Sequence, residues 1–110
     1  MCIRDRLGRA SVAVVTPAWD EPYGLVAAEA MACGTPVAAF DRGALPELIG
    51  AEAGALAPGD DVPALADAIE RARGRDRRAV RRHAVRTCSL SRMVDRYEQL
   101  YAGIAVQAAA

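Results

Sequence analysis

Three short apolar runs alternate with segments of helical period, and this alternation predicts a parallel sheet flanked by helices. The runs lie at residues 11–15, 37–40 and 54–57. Runs with so few polar positions are typical of strands covered on both faces. Helices are predicted at residues 24–33, 45–49, 62–73 and 77–86, followed by a last helix capped by Ser91. This order indicates an α/β fold, a Rossmann-like sheet with right-handed parallel crossovers.

The ends of the helices carry recognisable signals. Gly34 follows the first helix where glycine commonly ends helices, and Asp61 can cap the helix at residues 62–73. The last helix places its apolar side chains on one stripe, which we expect to lie in the core or at a domain interface. The stripe consists of Met93, Val94, Tyr97, Leu100, Tyr101 and Ile104.

The length of 110 residues suits one small domain or part of a larger one. Three strands are few for this fold and would leave a sheet edge unpaired, so we infer that the chain is a fragment. Residues 1–9 are polar and show no period. We expect them to be a non-native or disordered leader, and we expect residues 105–110 to be a frayed tail.

The composition favours a soluble cytoplasmic protein. Hydrophobic residues make up 53% and charged residues 25%, as in ordinary globular chains. The apolar runs are far shorter than the about 20 residues that a membrane span requires. The charged first residues do not resemble a secretory signal.

Charge is unevenly distributed along the chain. Through residue 70 there are four arginines against eleven acidic residues, and from residue 71 onward ten arginines against three acidic residues. Eight arginines lie within residues 71–86, which suggests an alternative function as a non-catalytic module that binds nucleic acid or an anionic membrane surface. Nucleic acid is disfavoured because no aromatic residues are interleaved for stacking. We expect a solvated helix face, with the only histidine, His83, at its surface.

The loop at residues 16–22 and the helix that follows it form the candidate site. Open parallel sheets bind ligands at the carboxyl ends of their strands, where this loop lies. The first amides of a helix lack internal partners and favour anions, so a diphosphate can dock near Gly24, Leu25 and Val26. Gly24 would let the ligand approach the backbone closely.

Two carboxylates bracket this helix start. Glu21 precedes the helix and Glu29 lies more than one turn inside it, so they should reach different parts of an extended ligand. A carboxylate accepts hydrogen bonds from neighbouring sugar hydroxyls but repels a diphosphate placed directly against it. The pattern therefore fits a nucleotide-sugar, with a sugar at each end of the diphosphate. Trp19 is either a packing residue beneath the loop or a ligand contact.

The same stretch resembles the donor site of retaining GT-B glycosyltransferases. Glu21 to Glu29 form a Glu-x7-Glu motif, and the likeness covers most of residues 11–102. The group it resembles, glycosyl transferases group 1 or family 4-like, includes sucrose and glycogen synthases and bacterial mannosyltransferases. The other matching residues are Pro17, Trp19, Pro22-Tyr23-Gly24-Leu25, Ala30-Met31-Ala32, Gly34, Pro36-Val37, Gly43-Ala44-Leu45-Pro46-Glu47 and Gly59-Asp60.

The resemblance implies specific roles. Glu21 would contact the transferred sugar near the reaction centre as the candidate catalytic residue, and Glu29 would bind the nucleotide ribose. The backbone from Tyr23 through Gly24 and Leu25 to Val26 would face sugar and phosphate, with Tyr23 where the family usually has Phe. The nucleoside-diphosphate sugar would be a co-substrate, and no cofactor or metal is implied. Residues 10–104 would form part of the C-terminal, donor-binding domain of a GT-B fold.

The family also places essential parts upstream of the matching stretch. These are the Arg and Lys that neutralise the diphosphate, and an N-terminal acceptor domain with a catalytic His. We therefore expect the parent to be a hexosyltransferase and the isolated chain to lack turnover. Expected partners are the nucleotide-sugar donor, the acceptor domain, an acceptor that the sequence does not identify and, peripherally, the inner membrane face. A non-catalytic sugar-nucleotide binder and a different Rossmann-like enzyme are the remaining alternatives.

Overall fold

The computed structural model describes residues 2–109, which form three strands and six helices. The strands are β1 (Ala13–Val15), β2 (Val37–Phe40) and β3 (Gly54–Ala57). The helices are α1 (Ile3–Arg9), α2 (Leu25–Ala32), α3 (Leu45–Leu48), α4 (Val62–Arg73), α5 (Arg77–Cys88) and α6 (Leu90–Ala109). Met1 and Ala110, which belong to the expected leader and tail, lie outside the described residues.

The three strands form a parallel sheet in the order β1-β2-β3. Val37 of β2 lies opposite Ala13 of β1 on one side and Gly54 of β3 on the other. The predicted parallel α/β sheet with flanking helices is therefore confirmed. β1 begins at Ala13, two residues later than predicted.

Alternate residues of β2 face two different layers of helices. Val37 and Ala39 pack in a cluster with residues of α2, α3 and α5. Ala38 and Phe40 pack in a second cluster against α4. All four side chains are buried, because β2 is the central strand and both of its faces are covered. The sheet thus has helices on both sides, and its strand ends lead into the loops that form the candidate site.

The segment expected to be a non-native or disordered leader contains α1. Leu7 packs against the core, and its carbonyl accepts a hydrogen bond from the hydroxyl of Thr35. The Arg77 guanidinium donates to the carbonyls of Gly8 at 2.8 Å and Ala10 at 2.7 Å. These contacts come from residues far along the chain, so the polar sequence of the segment alone does not indicate them.

α6 is a long helix that packs little against the rest of the chain. Its cap is Ser89 rather than the predicted Ser91, because the Ser89 hydroxyl accepts the N–H of Arg92 at 3.1 Å. All of its residues are exposed, so the stripe that includes Tyr97 and Tyr101 is not part of the core in this chain. The helix continues to Ala109. None of the helices within residues 2–109 is long and apolar enough to cross a membrane.

His83 is buried, contrary to the expectation of a surface residue. The helical period places it on the inward face of α5 with Val80 and Ala84. Its Nδ1 lies 3.2 Å from a carboxylate oxygen of Glu52, and its Nε2 lies 2.8 Å from the carbonyl oxygen of Leu48. His83 therefore connects α5 to the end of α3 and to the turn that contains Glu52.

Candidate functional site

The loop between β1 and α2 is tied to the loop that follows β2. The Asp20 carboxylate accepts the N–H of Gly43 at 3.2 Å, and the N–H of Ala44 donates to the Glu21 carbonyl at 2.8 Å. Gly43 has φ +56°, and a Cβ at this position would collide with the backbone of Glu21. Glycine is required here because only it permits both the conformation and the close approach. These contacts set the position of Glu21.

The Glu21 carboxylate has a partner within its own loop. The indole N–H of Trp19 donates to Glu21 Oε2 at 3.2 Å. Trp19 is 69% exposed, so it does not pack beneath the loop. Glu21 itself is half-buried. The pair places an oriented carboxylate, with one oxygen already bound, immediately before α2.

The N-terminus of α2 has no side-chain cap and is partly exposed. Gly24 occupies the N-cap with φ +85° and is itself buried, as is Ala27. The first hydrogen bond across this end runs from the Ala28 N–H to the Gly24 carbonyl at 3.1 Å, and the amides before it lack partners inside the helix. Leu25 and Val26 are 60% and 57% exposed. This helix end can therefore donate hydrogen bonds to an anion.

Gly24 has a structural role that the sequence did not indicate. A Cβ at this position would lie 2.8 Å from Cδ2 of Leu45 and 3.1 Å from Cδ2 of Leu48. Both leucines belong to α3, which packs beneath the start of α2. Glycine at position 24 therefore accommodates α3, whether or not a ligand approaches the opposite side of the backbone.

Glu29 lines a surface cavity of about 340 Å³ between α2 and the C-terminal part of α5. Tyr23 and Leu25 line the same cavity. The structure thus brings together three of the predicted site residues, Tyr23, Leu25 and Glu29. Glu21, Gly24 and Val26 are not in its lining, so the two acidic residues of the motif do not share this cavity.

A second cavity, of about 970 Å³, lies on another side of Tyr23. Glu47 of α3, Arg86 of α5, and Arg92 and Arg96 of α6 contribute to its lining. We did not predict these arginines as site residues. Their four-residue spacing places Arg92 and Arg96 on one helix face, but the sequence does not show that this face meets Tyr23.

Part of the arginine-rich segment closes the other end of α2. The Arg81 guanidinium donates to the carbonyl of Ala32, the last residue of α2. Arg77 donates to the Thr35 hydroxyl at 3.0 Å in addition to the two carbonyls described above. Within residues 2–109, the side chains of Arg78 and Arg82 make no hydrogen bond or ion pair. The segment is therefore partly structural and partly a solvated face.

No group of three or more His, Cys, Asp or Glu side chains in the described part of the chain is arranged to hold a metal ion. The candidate site consists of carboxylates, the uncapped amides at the start of α2, Tyr23 and the neighbouring arginines.

Comparison with known proteins identifies the family. A sequence model described as Glycosyl transferases group 1 matches residues 3–73. D-inositol 3-phosphate glycosyltransferase from Thermomonospora curvata is 40% identical over 102 residues, which cover 86% of this chain and 23% of the relative. The protein of the same name from Corynebacterium jeikeium is 47% identical over 62 residues, covering 56% of this chain and 15% of the relative. This chain thus spans less than a quarter of either relative.

A solved structure agrees with these matches. Sucrose-phosphate synthase from Thermosynechococcus elongatus superposes with a TM-score of 0.72 and 36% identity, covering 93% of this chain and 27% of that chain. The parallel sheet and its helices correspond to part of the GT-B fold of that protein. The chain therefore belongs to the glycosyl transferases group 1 family, as part of a GT-B glycosyltransferase.

Proposed function

We propose that this chain is the donor-binding part of a retaining glycosyltransferase that uses a nucleoside-diphosphate sugar. The observation that carries the proposal is the uncapped N-terminus of α2, where Leu25 and Val26 are exposed, with Glu21 before the helix and Glu29 inside it. The relatives are named for D-inositol 3-phosphate and for sucrose phosphate, so we propose a hydroxyl of a sugar or polyol as the acceptor.

The diphosphate would bind the first amides of α2, near Gly24, Leu25 and Val26. The exposure of Leu25 and Val26 and the lack of a side-chain cap support the proposal. Charge-assisted hydrogen bonds and the helix dipole would favour the anion there, the dipole by about 0.3–2 kcal/mol. The same groups would stabilise the charge that develops on the departing nucleoside diphosphate.

The carboxylates would hold the two sugars of the donor. Glu29 shares a cavity with Tyr23 and Leu25, which supports a role in accepting the ribose hydroxyls. Glu21, oriented by Trp19, would bind the transferred sugar and stabilise positive charge at its anomeric carbon. The two acids would then serve opposite ends of one extended ligand, which is consistent with their not sharing a cavity. Because these groups account for both ends of the donor, the proposal includes no metal or other cofactor.

We propose that the isolated chain binds the donor without turnover. The resemblance places the acceptor domain, its catalytic His and the diphosphate-binding Arg and Lys upstream of the matching stretch. The parent would be a cytoplasmic hexosyltransferase. A radiolabelled-donor assay should therefore show no transfer to sugars or polyols by these 110 residues, and transfer above background would contradict this part of the proposal.

Calorimetry with free nucleotides and nucleotide-sugars tests the two carboxylates. In parallel series with UDP, GDP, ADP and their glucose conjugates, Glu29→Ala should weaken every ligand that the unmodified chain binds. The expected loss is about ten- to hundredfold, from hydrogen bonds to a charged group. Glu21→Ala should weaken only the glucose conjugates. Glu98→Ala, an exposed α6 position outside both cavities, is the matched control.

The pattern across these ligands decides the assignment. Equal losses of free UDP in Glu21→Ala and Glu29→Ala would contradict the separate roles. Failure of the unmodified chain to bind any of the nucleotides at millimolar concentration would contradict the donor site itself.

The alternative of an anion-binding module rests on Arg78 and Arg82. They are exposed and one helical turn apart, whereas Arg77 and Arg81 hold main-chain carbonyls. Peripheral contact with an anionic inner membrane face would therefore involve the first pair. Salt-sensitive binding to phosphatidylglycerol vesicles that is lost in Arg78→Gln/Arg82→Gln would favour this alternative. Binding to duplex DNA with the same dependence would favour nucleic acid instead, which we do not expect.

A further inference from the structure

The loops that follow the three strands are joined to one another at the carboxyl edge of the sheet. Glu21 lies in the loop after β1, Arg42 in the loop after β2, and Asp60 in the loop after β3. Gly43 and Ala44 make the hydrogen bonds that hold the first of these loops. The Arg42 guanidinium reaches in the other direction and donates from Nη2 to Asp60 Oδ2 at 2.6 Å. A continuous set of contacts therefore leads from the Asp60 loop to Glu21.

The contact between Arg42 and the loop after β3 is close and leaves one polar atom without a partner. A Cβ on Gly59 would lie 2.9 Å from Cζ of Arg42 and 3.0 Å from its Nε, so only glycine fits here. The guanidinium therefore packs directly on the backbone of Gly59. Its Nε is fully buried and has no hydrogen-bond partner within residues 2–109. A buried donor without a partner is costly and uncommon in folded proteins.

Asp60 adds a second unfavourable feature to the same contact. Its φ is +64°, and it is the only residue other than glycine in the described part of the chain with a positive φ. Aspartate adopts this conformation more readily than most residues, but still at a cost. The Asp60 side chain is 76% exposed, so the conformation does not serve to bury it. Within residues 2–109 its carboxylate has one partner, Arg42, and the strained conformation accompanies that contact.

The position of Arg42 is transmitted to Glu21 over a short distance. Arg42 directly precedes Gly43, whose N–H binds Asp20, and Ala44, whose N–H binds the Glu21 carbonyl. Gly43 also lies so close to the Glu21 backbone that no side chain fits between them. A shift of this segment would therefore displace Glu21. Strained contacts are found mostly where a functional group has to be held in place.

We propose that Arg42, anchored by Asp60, is a positioning residue for Glu21. This inference rests on the proposed function, in which Glu21 binds the transferred sugar of the donor. Arg42 would act through the loop after β2, because it lines neither the cavity that contains Glu29 nor the cavity that contains Glu47. Loss of the contact would loosen Glu21 and weaken binding of the sugar. The nucleotide, held by α2 and Glu29, would keep its affinity.

The indole N–H of Trp19 reports the position of Glu21 in the absence of any ligand. Trp19 is the only tryptophan in the sequence and donates to Glu21 Oε2, so its indole resonance can be followed by nuclear magnetic resonance without overlap. Arg42→Gln and Asp60→Asn should both shift this resonance. Arg73→Gln, which removes an exposed ion pair on α4, is the matched control and should leave it in place.

Calorimetry with UDP, GDP, ADP and their glucose conjugates provides the second readout. Arg42→Gln should weaken each glucose conjugate that the unmodified chain binds by about three- to tenfold, because the sugar-binding carboxylate is held less precisely. The affinity for the free nucleotides should change by less than about twofold. Arg73→Gln should leave both series of ligands unchanged.

Asp60→Asn alters the same contact from its exposed side. Asparagine also tolerates a positive φ, so this variant should fold even where Arg42→Gln does not. Combined with Arg42→Gln, it should weaken the glucose conjugates no further than Arg42→Gln alone, because both changes break one contact. Additive losses would contradict the anchoring of Arg42 by Asp60.

Two further results would overturn the inference. A Trp19 resonance that is unchanged in both Arg42→Gln and Asp60→Asn would show that the contact does not reach Glu21. Equal weakening of the free nucleotides and the glucose conjugates would show a general loss of structure and not a loss of sugar positioning.

The two readouts separate this inference from the proposed function. If no nucleotide binds while the Trp19 resonance depends on Arg42, the donor site fails and the positioning of Glu21 by Arg42 stands. If Glu21→Ala weakens the glucose conjugates while Arg42→Gln changes neither these affinities nor the resonance, only the role of Arg42 fails.

Discussion

The described part of the chain provides a side-chain partner for one end of α2 and none for the other. At the C-terminal end, the Ala32 carbonyl is bound by Arg81, and the N–H groups of Cys33 and Gly34 bond back to the last turn. At the N-terminal end, Gly24 offers no side-chain cap, and Leu25 and Val26 are exposed. One end is bound by a distant side chain, and the other is not.

The difference between the two ends of α2 indicates where a ligand is expected. Helix ends need partners for their unpaired backbone groups, and proteins normally provide them with capping side chains. α4 in the same chain has such a cap, since Asp61 accepts the Ala64 N–H at 3.0 Å. The starts of α1 and α3 also have no side-chain cap, but only the start of α2 follows the loop that carries Glu21.

The largest expected effect on stability comes from replacing Gly24 at the N-terminal end of α2. Gly24→Ala should lower the free energy of unfolding by about 1–3 kcal/mol, because alanine is strained at φ +85° and its methyl group would press on Leu45. Urea denaturation followed by circular dichroism measures this. The matched control is Gly103→Ala in α6, where a methyl group would meet open space. An unchanged midpoint for Gly24→Ala would contradict the packing of α3 beneath α2.

A smaller effect on stability is expected from removing the side-chain partner at the C-terminal end of α2. Arg81→Met removes the hydrogen bond to Ala32 and should lower the free energy of unfolding by about 0.5–1.5 kcal/mol. Arg82→Met, one position along the same helix and without such a bond, should change it by less than about 0.5 kcal/mol. Arg82→Met should also bind UDP like the unmodified chain, whereas Arg81 lines the cavity that contains Glu29, so Arg81→Met tests stability alone. An unchanged midpoint for Arg81→Met would contradict the role of its hydrogen bond to Ala32.

The smallest effect on stability is expected from a change in the loop between β1 and α2. Asp20→Ala removes the acceptor for the Gly43 N–H at the protein surface, which should cost about 0.5–1 kcal/mol. Because this contact positions Glu21, the affinity for UDP-glucose should fall severalfold while that for UDP stays constant. Asp41→Ala, on the neighbouring loop, is the control. A parallel loss of both ligands would indicate that Asp20 acts on α2 and not on Glu21.

The local sequence pattern was sufficient to predict much of the fold. β2, β3 and α4 have the bounds that were predicted, because their residues carry their own signals: continuous apolar runs for the strands, and the Asp61 cap with a 3.6-residue period for α4. The break at Gly34 was predicted for the same reason. The resemblance to GT-B glycosyltransferases rested on a loop and helix start that are likewise contiguous in sequence.

What could not be predicted depends on contacts between distant residues. Arg81 meets Ala32, and His83 meets Leu48, across sequence separations of 49 and 35 residues. An arginine-rich helix with one histidine gives no sign of such partners, so His83 was assigned to the surface. The packing of α3 against Gly24 and the cavity that Tyr23 shares with Arg92 were missed for the same reason.

An amide nuclear magnetic resonance titration of the 110-residue chain with UDP, GDP and ADP tests directly whether the N-terminal end of α2 binds the diphosphate. At least one nucleotide should produce its largest shift changes at the amides of Leu25, Val26 and Ala27, with the amides of Cys33 and Gly34 nearly unchanged. Changes centred on the Cys33 end, or spread evenly over the arginine-rich helix, would contradict the claim that the N-terminal end of α2 binds the diphosphate.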